Sequence, residues 1–268
     1  ASSFGHESPE PGHVIAITIA LDGPDVNASG EVKSVLLPAK SADAGAAGGS
    51  SDTRLPSMLK RDQVVNVTSS ELKYDANASR ATYSGNALLW QGETSVKAET
   101  IIVDDKSGDL TGRGAVATSM VLEQTNDKGG RERMRSTTTS KDFIYEEATR
   151  KATYTGDAHM NSAQGDMTAA KIELFLKASG DQLDRAEAYE TVTLREKTRR
   201  TTGARLTYYS ADDRYVMTGA PVTVVDECAR ETIGRTLTFH RTTDRIVIDG
   251  SEQIRTQTKG GGSQCSGS

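Results

Sequence analysis

Apolar and polar residues alternate in short runs along most of the chain from Val64 onward. Clear examples are Ile172–Leu176, Leu237–Phe239 and Ile246–Ile248, in which every second residue is large and apolar. This period of two predicts β-strands with one buried face, and turn-forming residues such as those of Asp105–Gly108 separate the runs. Apolar residues rarely recur at helical spacing over more than two turns, so the pattern predicts an all-β protein.

Three segments of the chain align with one another without gaps. They are Leu72–Ala87, Phe143–Ala158 and Leu206–Pro221, and each places an aromatic residue, a basic residue, a Tyr or Met, a Ser or Thr and a Gly at the same spacing. Such a repeat predicts stacked β-hairpin units, because one unit cannot bury its apolar face alone. We therefore expect a continuous apolar strip between two facing sheets, with the repeated glycine at a turn or bulge.

The first sixty residues differ from the rest in their composition. Two strand-like runs, Val14–Leu21 and Glu31–Leu37, precede the small, polar stretch Ser41–Asp52, which predicts a flexible linker. The chain ends in a Gly/Ser-rich stretch that is typical of disorder. These features predict four parts: an N-terminal strand pair over 1–40 (a possible fragment of a preceding module), a linker over 41–57, a β-domain over 58–256 and a disordered tail over 257–268.

Composition narrows the classes of function. The 268 residues carry 32 Lys and Arg against 37 Asp and Glu, a net charge of -5, which argues against a nucleic-acid binder with a basic face. No apolar run approaches 18 residues, so we expect no transmembrane segment. The two cysteines, Cys228 and Cys265, are compatible with one disulfide or with two thiols.

The sequence offers little that is typical of catalysis or metal binding. The four histidines are scattered, and none lies at metal-ligand spacing from another histidine, a cysteine or an acid. The acidic pairs Asp104–Asp105 and Asp212–Asp213 flank predicted turns, where aspartate bonds the local backbone, which favours turn formation over a glycosidase pair. We predict no catalytic residue, no metal and no cofactor.

One basic cluster has two interpretations. It lies in a short strand-turn-strand region and comprises Arg195, Lys197, Arg199, Arg200 and Arg205. The charges either protect a solvated sheet edge from aggregation or contact phosphorylated glycolipid headgroups.

Several strand and turn patterns form a recognisable set. They are Leu72–Asp75, Tyr83–Ala87, Leu89–Gly92, Val96–Ala98, Gly108–Leu110, Gly114–Val116, Tyr154–Ala158 and Thr202–Tyr208. These patterns resemble those of the OstA-like (LptA-type) family of periplasmic lipopolysaccharide-transport proteins, and the resemblance covers about residues 59–252.

The resemblance implies a fold, a ligand and partners. The fold is an open, twisted, antiparallel β-jellyroll with a V-shaped groove between two sheets, and the groove would hold the acyl chains of lipopolysaccharide. Members of the family act in the periplasm in outer-membrane biogenesis, and they join other OstA-like domains end to end by strand pairing into oligomers. The resemblance leaves open which member of the pathway this is and whether the chain is part of a larger protein.

The alternation gives the candidate groove residues, which depend on register because a slip of one residue turns every side chain to the other face. They are Leu72, Tyr74, Tyr83, Ile101, Val103, Phe143, Tyr145, Tyr154, Ile172, Leu174, Leu206, Tyr208, Met217, Leu237, Phe239, Ile246 and Ile248.

Two other classes of function stay open beside the non-enzymatic lipid carrier. A structural scaffold would add strands to partner domains and keep a dry interior filled by its own side chains. A polysaccharide-active β-solenoid enzyme would need clustered carboxylates on one face of a sheet.

Overall fold

The computed structural model describes residues 16–19, 25–36, 55–60, 62–125, 131–243, 245–250 and 257–259. Within these ranges the chain forms fifteen strands and one short 3-10 turn, Arg241–Thr243. The strands are β1 Ala16–Ile19, β2 Val26–Leu36, β3 Val65–Asp75, β4 Arg80–Gln91, β5 Thr94–Asp104, β6 Leu110–Thr125, β7 Arg131–Glu146, β8 Lys151–Ser162, β9 Gly165–Leu176, β10 Leu183–Arg195, β11 Arg199–Tyr209, β12 Arg214–Asp226, β13 Glu231–His240, β14 Arg245–Asp249 and β15 Gln257–Lys259.

All of these strands belong to one antiparallel sheet with a simple meander topology. Each strand from β1 to β13 pairs with the strand that follows it, and β15 pairs with β13 beside β14. The connections from β3 to β14 are short, as period-2 runs separated by turn residues require, whereas β2 ends at Leu36 and β3 begins only at Val65. The prediction of an all-β antiparallel fold is confirmed.

Most strands are interrupted near their middle by a β-bulge, which divides the sheet into two halves. The first half-sheet comprises 32–36, 65–69, 87–91, 94–98, 116–125, 131–140, 158–162, 165–169, 192–195, 199–203, 222–226, 231–234 and 257–259. The second half-sheet comprises 26–29, 71–75, 80–84, 100–104, 110–113, 142–146, 151–155, 171–176, 183–189, 205–209, 214–218, 236–240 and 245–249.

The repeated glycine lies at a bulge in all three repeats, and in the first two it has a positive φ. Gly85 and Asn86 have φ angles of 80° and 51°, and Gly156 and Asp157 have 82° and 53°. Two successive left-handed residues bend the strand, and glycine is the residue that adopts this conformation at least cost. A Cβ atom on Gly156 would lie only 2.7 Å from Cβ of Lys141, so the bend also needs the absence of a side chain.

The bends turn the apolar faces of the two half-sheets toward each other. Tyr154 of the second half-sheet and Thr118 of the first form a hydrogen bond of 2.9 Å between their hydroxyl groups. Both residues are buried, and Phe143 packs against the Tyr154 ring with 5.0 Å between centroids. The apolar core therefore lies between the half-sheets, as the V-shaped cross-section requires.

The structure describes short stretches near both ends of the chain. Strand β2 pairs with β3, so the N-terminal strand pair continues the same sheet. The linker was predicted to reach residue 57, but Leu55 and Pro56 are buried; Ser41–Asp52 lies outside the described residues. The tail was predicted to be disordered from 257, yet β15 pairs with β13. Cys228 is disulfide-bonded, whereas Cys265 lies outside the described residues.

Candidate binding groove

A cavity of about 100 Å³ lies between the two half-sheets. Side chains from both halves line it, and most of them are aliphatic or thioether groups. The lining from the first half-sheet is Leu122, Met134, Ser136, Met160, Ser162, Gly165, Met167 and Leu194; from the second it is Leu174, Leu183, Ala186, Leu206, Tyr208 and Tyr215; Gln164, Glu196 and Arg241 complete it from turns.

Methionine is concentrated in this interior. Met134, Met160 and Met167 line the cavity, and Met160 lies opposite Met167 in the pairing of β8 with β9. Two further methionines, Met120 and Met217, are buried in the surrounding core. The unbranched thioether chain fits irregular apolar shapes, so these walls can adjust to a flexible apolar ligand.

A group of hydrogen-bonded polar side chains joins the half-sheets at the rim of the cavity. Glu196, in the turn after β10, accepts hydrogen bonds of 2.6 Å through the same carboxylate oxygen from the Tyr215 hydroxyl and from Nε of Arg199. The Arg199 guanidinium also lies 3.7 Å from the centroid of the Phe239 ring. Burial and the neighbouring Glu196 carboxylate together raise the pKa of Tyr215.

A second polar group lies at the tip of the second half-sheet. The Tyr208 hydroxyl donates to Oδ1 of Asp213 over 2.9 Å, and Nη1 of Arg241 lies 3.3 Å from the same oxygen. Burial, followed by the Asp213 carboxylate, raises the pKa of Tyr208. The rim therefore carries arginine and carboxylate groups around an apolar interior, an amphipathic arrangement.

A polar cross-brace occupies the interior between β6 and β8. Besides its bond to Thr118, the Tyr154 hydroxyl lies 3.5 Å from Sδ of Met120, and burial raises the pKa of Tyr154 to about 12. Thr118 in turn lies 3.4 Å from the carbonyl oxygen of Thr138. At this level side chains fill the groove, whereas the cavity lies further along the sheet.

The predicted basic cluster does not form one patch. Arg195 and Arg200 are exposed and lie opposite each other, and Lys197 is exposed in the turn between their strands. Arg199 points inward, with only 12% of its side chain exposed, and Arg205 pairs with the buried Glu187. Strands β10 and β11 each pair with strands on both sides, so the cluster does not lie at an edge strand of the sheet.

The acidic pair at the β5–β6 connection serves the turn, as the sequence predicted. Oδ1 of Asp104 accepts hydrogen bonds from the backbone N–H groups of Lys106 and Ser107, at 3.1 and 3.0 Å. The bond from Ser107 is the main reason that the pKa of Asp104 is lowered. In the part of the chain that the structure describes, no group of three or more His, Cys, Asp or Glu residues is placed to hold a metal ion.

Comparison with known protein families identifies the family of this chain. The family model described as "LptA/(LptD N-terminal domain) LPS transport protein" matches residues 66–139 and 137–245, well over half of the sequence. The chain belongs to this family. The two matches meet in β7, so the first contains the first repeat and the second contains the other two.

Comparisons with individual proteins add less. Among solved structures, LptH, the LptA homologous periplasmic component of the conserved lipopolysaccharide transport device from Pseudomonas aeruginosa, matches with 16% identity and a TM-score of 0.36, over 47% of this chain and 80% of that one. No curated protein matches the sequence. No helix among the described residues is long and apolar enough to cross a membrane.

Most of the predicted groove residues of this LptA/LptD-family chain lie on the inner face. Twelve are buried: Tyr83, Ile101, Val103, Phe143, Tyr145, Tyr154, Ile172, Leu174, Leu206, Met217, Leu237 and Phe239. Leu72, Tyr74, Tyr208 and Ile248 are partly buried against the core. Ile246 is 38% exposed, because it lies opposite Phe239 on the terminal strand β14, which pairs only with β13 among the described strands.

These residues all belong to the second half-sheet, and only Leu174, Leu206 and Tyr208 line the cavity. Sequence reasoning therefore missed the opposite wall, formed by residues such as Met160 and Met167. The strands of that wall also alternate between inward and outward residues. Ser and Thr occupy several of the inward positions, such as Ser136, so the difference in hydrophobicity between the two faces is weak.

Proposed function

We propose that this protein is a non-enzymatic periplasmic carrier that binds the acyl chains of lipopolysaccharide between its two half-sheets. The observation that carries the proposal is the cavity lined by leucines and methionines from both halves. Membership of a lipopolysaccharide-transport family supports the identity of the ligand.

The energetics favour an acyl chain in this site. Each methylene moved from water to an apolar wall gains about 0.8 kcal/mol, so the roughly three or four methylenes that a space of about 100 Å³ holds supply about 3 kcal/mol before the cost of ordering the chain. Met160 and Met167 present apolar thioether chains to the cavity, although Ser136, Ser162 and Gln164 lie nearby in the same lining. A ligand held by apolar contacts can slide along the wall, because no position binds it much more strongly than the next.

We assign headgroup contact to Arg199 rather than to the whole basic cluster. Arg199 is the cluster member whose guanidinium reaches the interior, and Arg241 lies on the same rim. Both now bind carboxylates, and a phosphate group offers equivalent charge-assisted hydrogen bonds to guanidinium.

The ends of the sheet support end-to-end pairing with other domains of the family. In the described part of the chain, residues 32–36 of β2 pair with β3 on one side only, and Val35 is 56% exposed. Among the strands that the structure describes, β14 pairs with β13 alone. An unpaired strand edge is a template for strand addition, which suits a periplasmic oligomer or a chain of partners.

A direct binding experiment tests the carrier proposal. Lipopolysaccharide labelled on its sugar is titrated with the full chain and then competed with intact or fully deacylated lipopolysaccharide. We expect only the intact competitor to displace the label. Equal displacement by deacylated material would place recognition in the sugar and contradict an acyl-chain site.

The filled interior around Tyr154 favours one second candidate, the strand-addition scaffold. A scaffold would bind neighbouring domains through its edges and would not bind labelled lipopolysaccharide in the same titration.

A further inference from the structure

A short segment, Leu55–Lys60, crosses from one half-sheet to the other, and we name it the strap. At the second half-sheet, the Ser57 N–H donates to Oε2 of Glu147 over 2.7 Å, and the Ser57 hydroxyl lies 2.8 Å from that of Tyr145. At the first half-sheet, the Lys60 N–H donates to Oε1 of Gln91 over 2.5 Å, and Nε2 of Gln91 donates back to the Lys60 carbonyl over 2.8 Å. The strap therefore spans the open side of the V.

The strap inserts apolar side chains into the interior. Leu55, Met58 and Leu59 are buried and belong to the same core cluster as the sheet residues. The fit is close, because a Cβ atom on Gly180 would lie 1.8 Å from the Ser57 carbonyl oxygen. Gly180 also has a φ of 77°, so this turn needs glycine both for its conformation and for the approach of the strap.

The strap walls a second cavity next to the first. This cavity has a volume of about 670 Å³. Its apolar lining comes from the strap and from Met120 and Leu122 of β6, and polar side chains such as Gln91, Glu93 and Arg133 line the rest together with the turn around Gly180. Leu122 lines both cavities. Movement of Met58 and Leu59 out of the interior would extend the apolar site past Leu122 toward the N-terminal strands.

The strap is bound in a way that permits release. Among the described residues, its backbone–backbone hydrogen bonds are local, from Leu59 to Pro56 and from Gln63 to Lys60. Its links to the sheet run through the side chains of Glu147, Tyr145 and Gln91. A segment outside the strand ladder can open without unfolding the sheet.

We propose that the strap is an internal occupant of the groove that an acyl chain displaces. This inference rests on the proposed carrier function and adds regulation to the same site. Leucine and methionine side chains offer the groove the same chemistry as a lipid tail, so strap and tail compete for one surface. Apparent affinity for lipid is then reduced by the fraction of molecules in which the strap is docked.

The test compares strap variants with a matched surface variant, using cis-parinaric acid, a fluorescent single-chain lipid. Met58→Ser combined with Leu59→Ser weakens the strap, and Val64→Ser, at a position 45% exposed, is the control. We expect the double variant to bind the probe about tenfold more tightly than wild type, because more molecules are open. The control keeps the wild-type Kd.

Hydrogen exchange on the wild-type chain tests the same point without any substitution. Saturating probe is expected to speed exchange of the Ser57 and Lys60 amides at least several-fold, since their partners are lost. Glu147→Gln, which keeps the size of the side chain, provides a milder strap variant with an intermediate Kd.

The outcomes separate the two proposals. If wild type binds the probe, but the strap variants bind equally or more weakly and the strap amides do not change, the strap proposal is overturned and the carrier function stands. If neither wild type nor any folded variant binds the probe, both are overturned.

Discussion

Filling the cavity should block the lipid without harming the fold. Ala186 is buried, lines the cavity and lies opposite Leu174 on one side and Tyr208 on the other. Replacing it with leucine adds three carbon atoms to a space of about 100 Å³. These carbons occupy the volume of about three lipid methylenes, which are worth about 2.4 kcal/mol, or about a fiftyfold increase in Kd.

The assay has two readouts on the same preparations. Fluorescence titration with cis-parinaric acid gives Kd, and urea unfolding gives the free energy of unfolding, which we expect Ala186→Leu to change by less than about 1.5 kcal/mol. Ala204→Leu introduces the same side chain at an exposed position of β11 and controls for added surface hydrophobicity. A folded Ala186→Leu protein with the wild-type Kd would refute the placement of the lipid in this cavity.

Three further predictions concern the fold. Gly156→Ala should lower the free energy of unfolding by about 1 to 3 kcal/mol more than Gly92→Ala, as measured by urea unfolding. Gly92 also has a positive φ, but an added Cβ atom there would meet nothing within 4 Å. Equal losses of stability in the two variants would contradict a role for the close approach at Gly156. Tyr154→Phe should lower the free energy of unfolding by about 1 kcal/mol through loss of the bond to Thr118, and an unchanged urea midpoint would contradict this brace. Ile172→Asp buries an unpaired carboxylate at a position with no exposure and should cost at least about 3 kcal/mol, so circular dichroism showing a fully stable variant would contradict a closed core there.

The sequence was most informative where period-2 contrast is strong. In β9, Ile172 and Leu174 alternate with more exposed residues, and both lie on the inner face as predicted. The sequence predicts only a turn or a bulge at Gly156. The repeat identifies this glycine, but it does not show that the residues on both sides continue as one bent strand. Because the strands bend, the same strands form both half-sheets. This arrangement depends on strand pairing, which the sequence alone does not show.

The remainder of the site depends on contacts between distant segments. Arg199 and Arg200 are neighbours in the sequence, yet alternation turns one toward Phe239 and the other to solvent. The strap has no periodicity, and its burial depends on Glu147 and Gln91, which are remote along the chain. Such a segment is hard to distinguish from a linker before the fold is known.

The most direct test of the carrier claim is photocrosslinking in the groove. A benzoylphenylalanine at Leu206, which lines the cavity, is compared with one at Ile144, which is 44% exposed, in the presence of purified lipopolysaccharide. We expect a crosslink to the lipid A moiety at position 206 and none at position 144. Folded protein that crosslinks at neither position, or equally at both, would contradict a lipid-binding groove between the half-sheets.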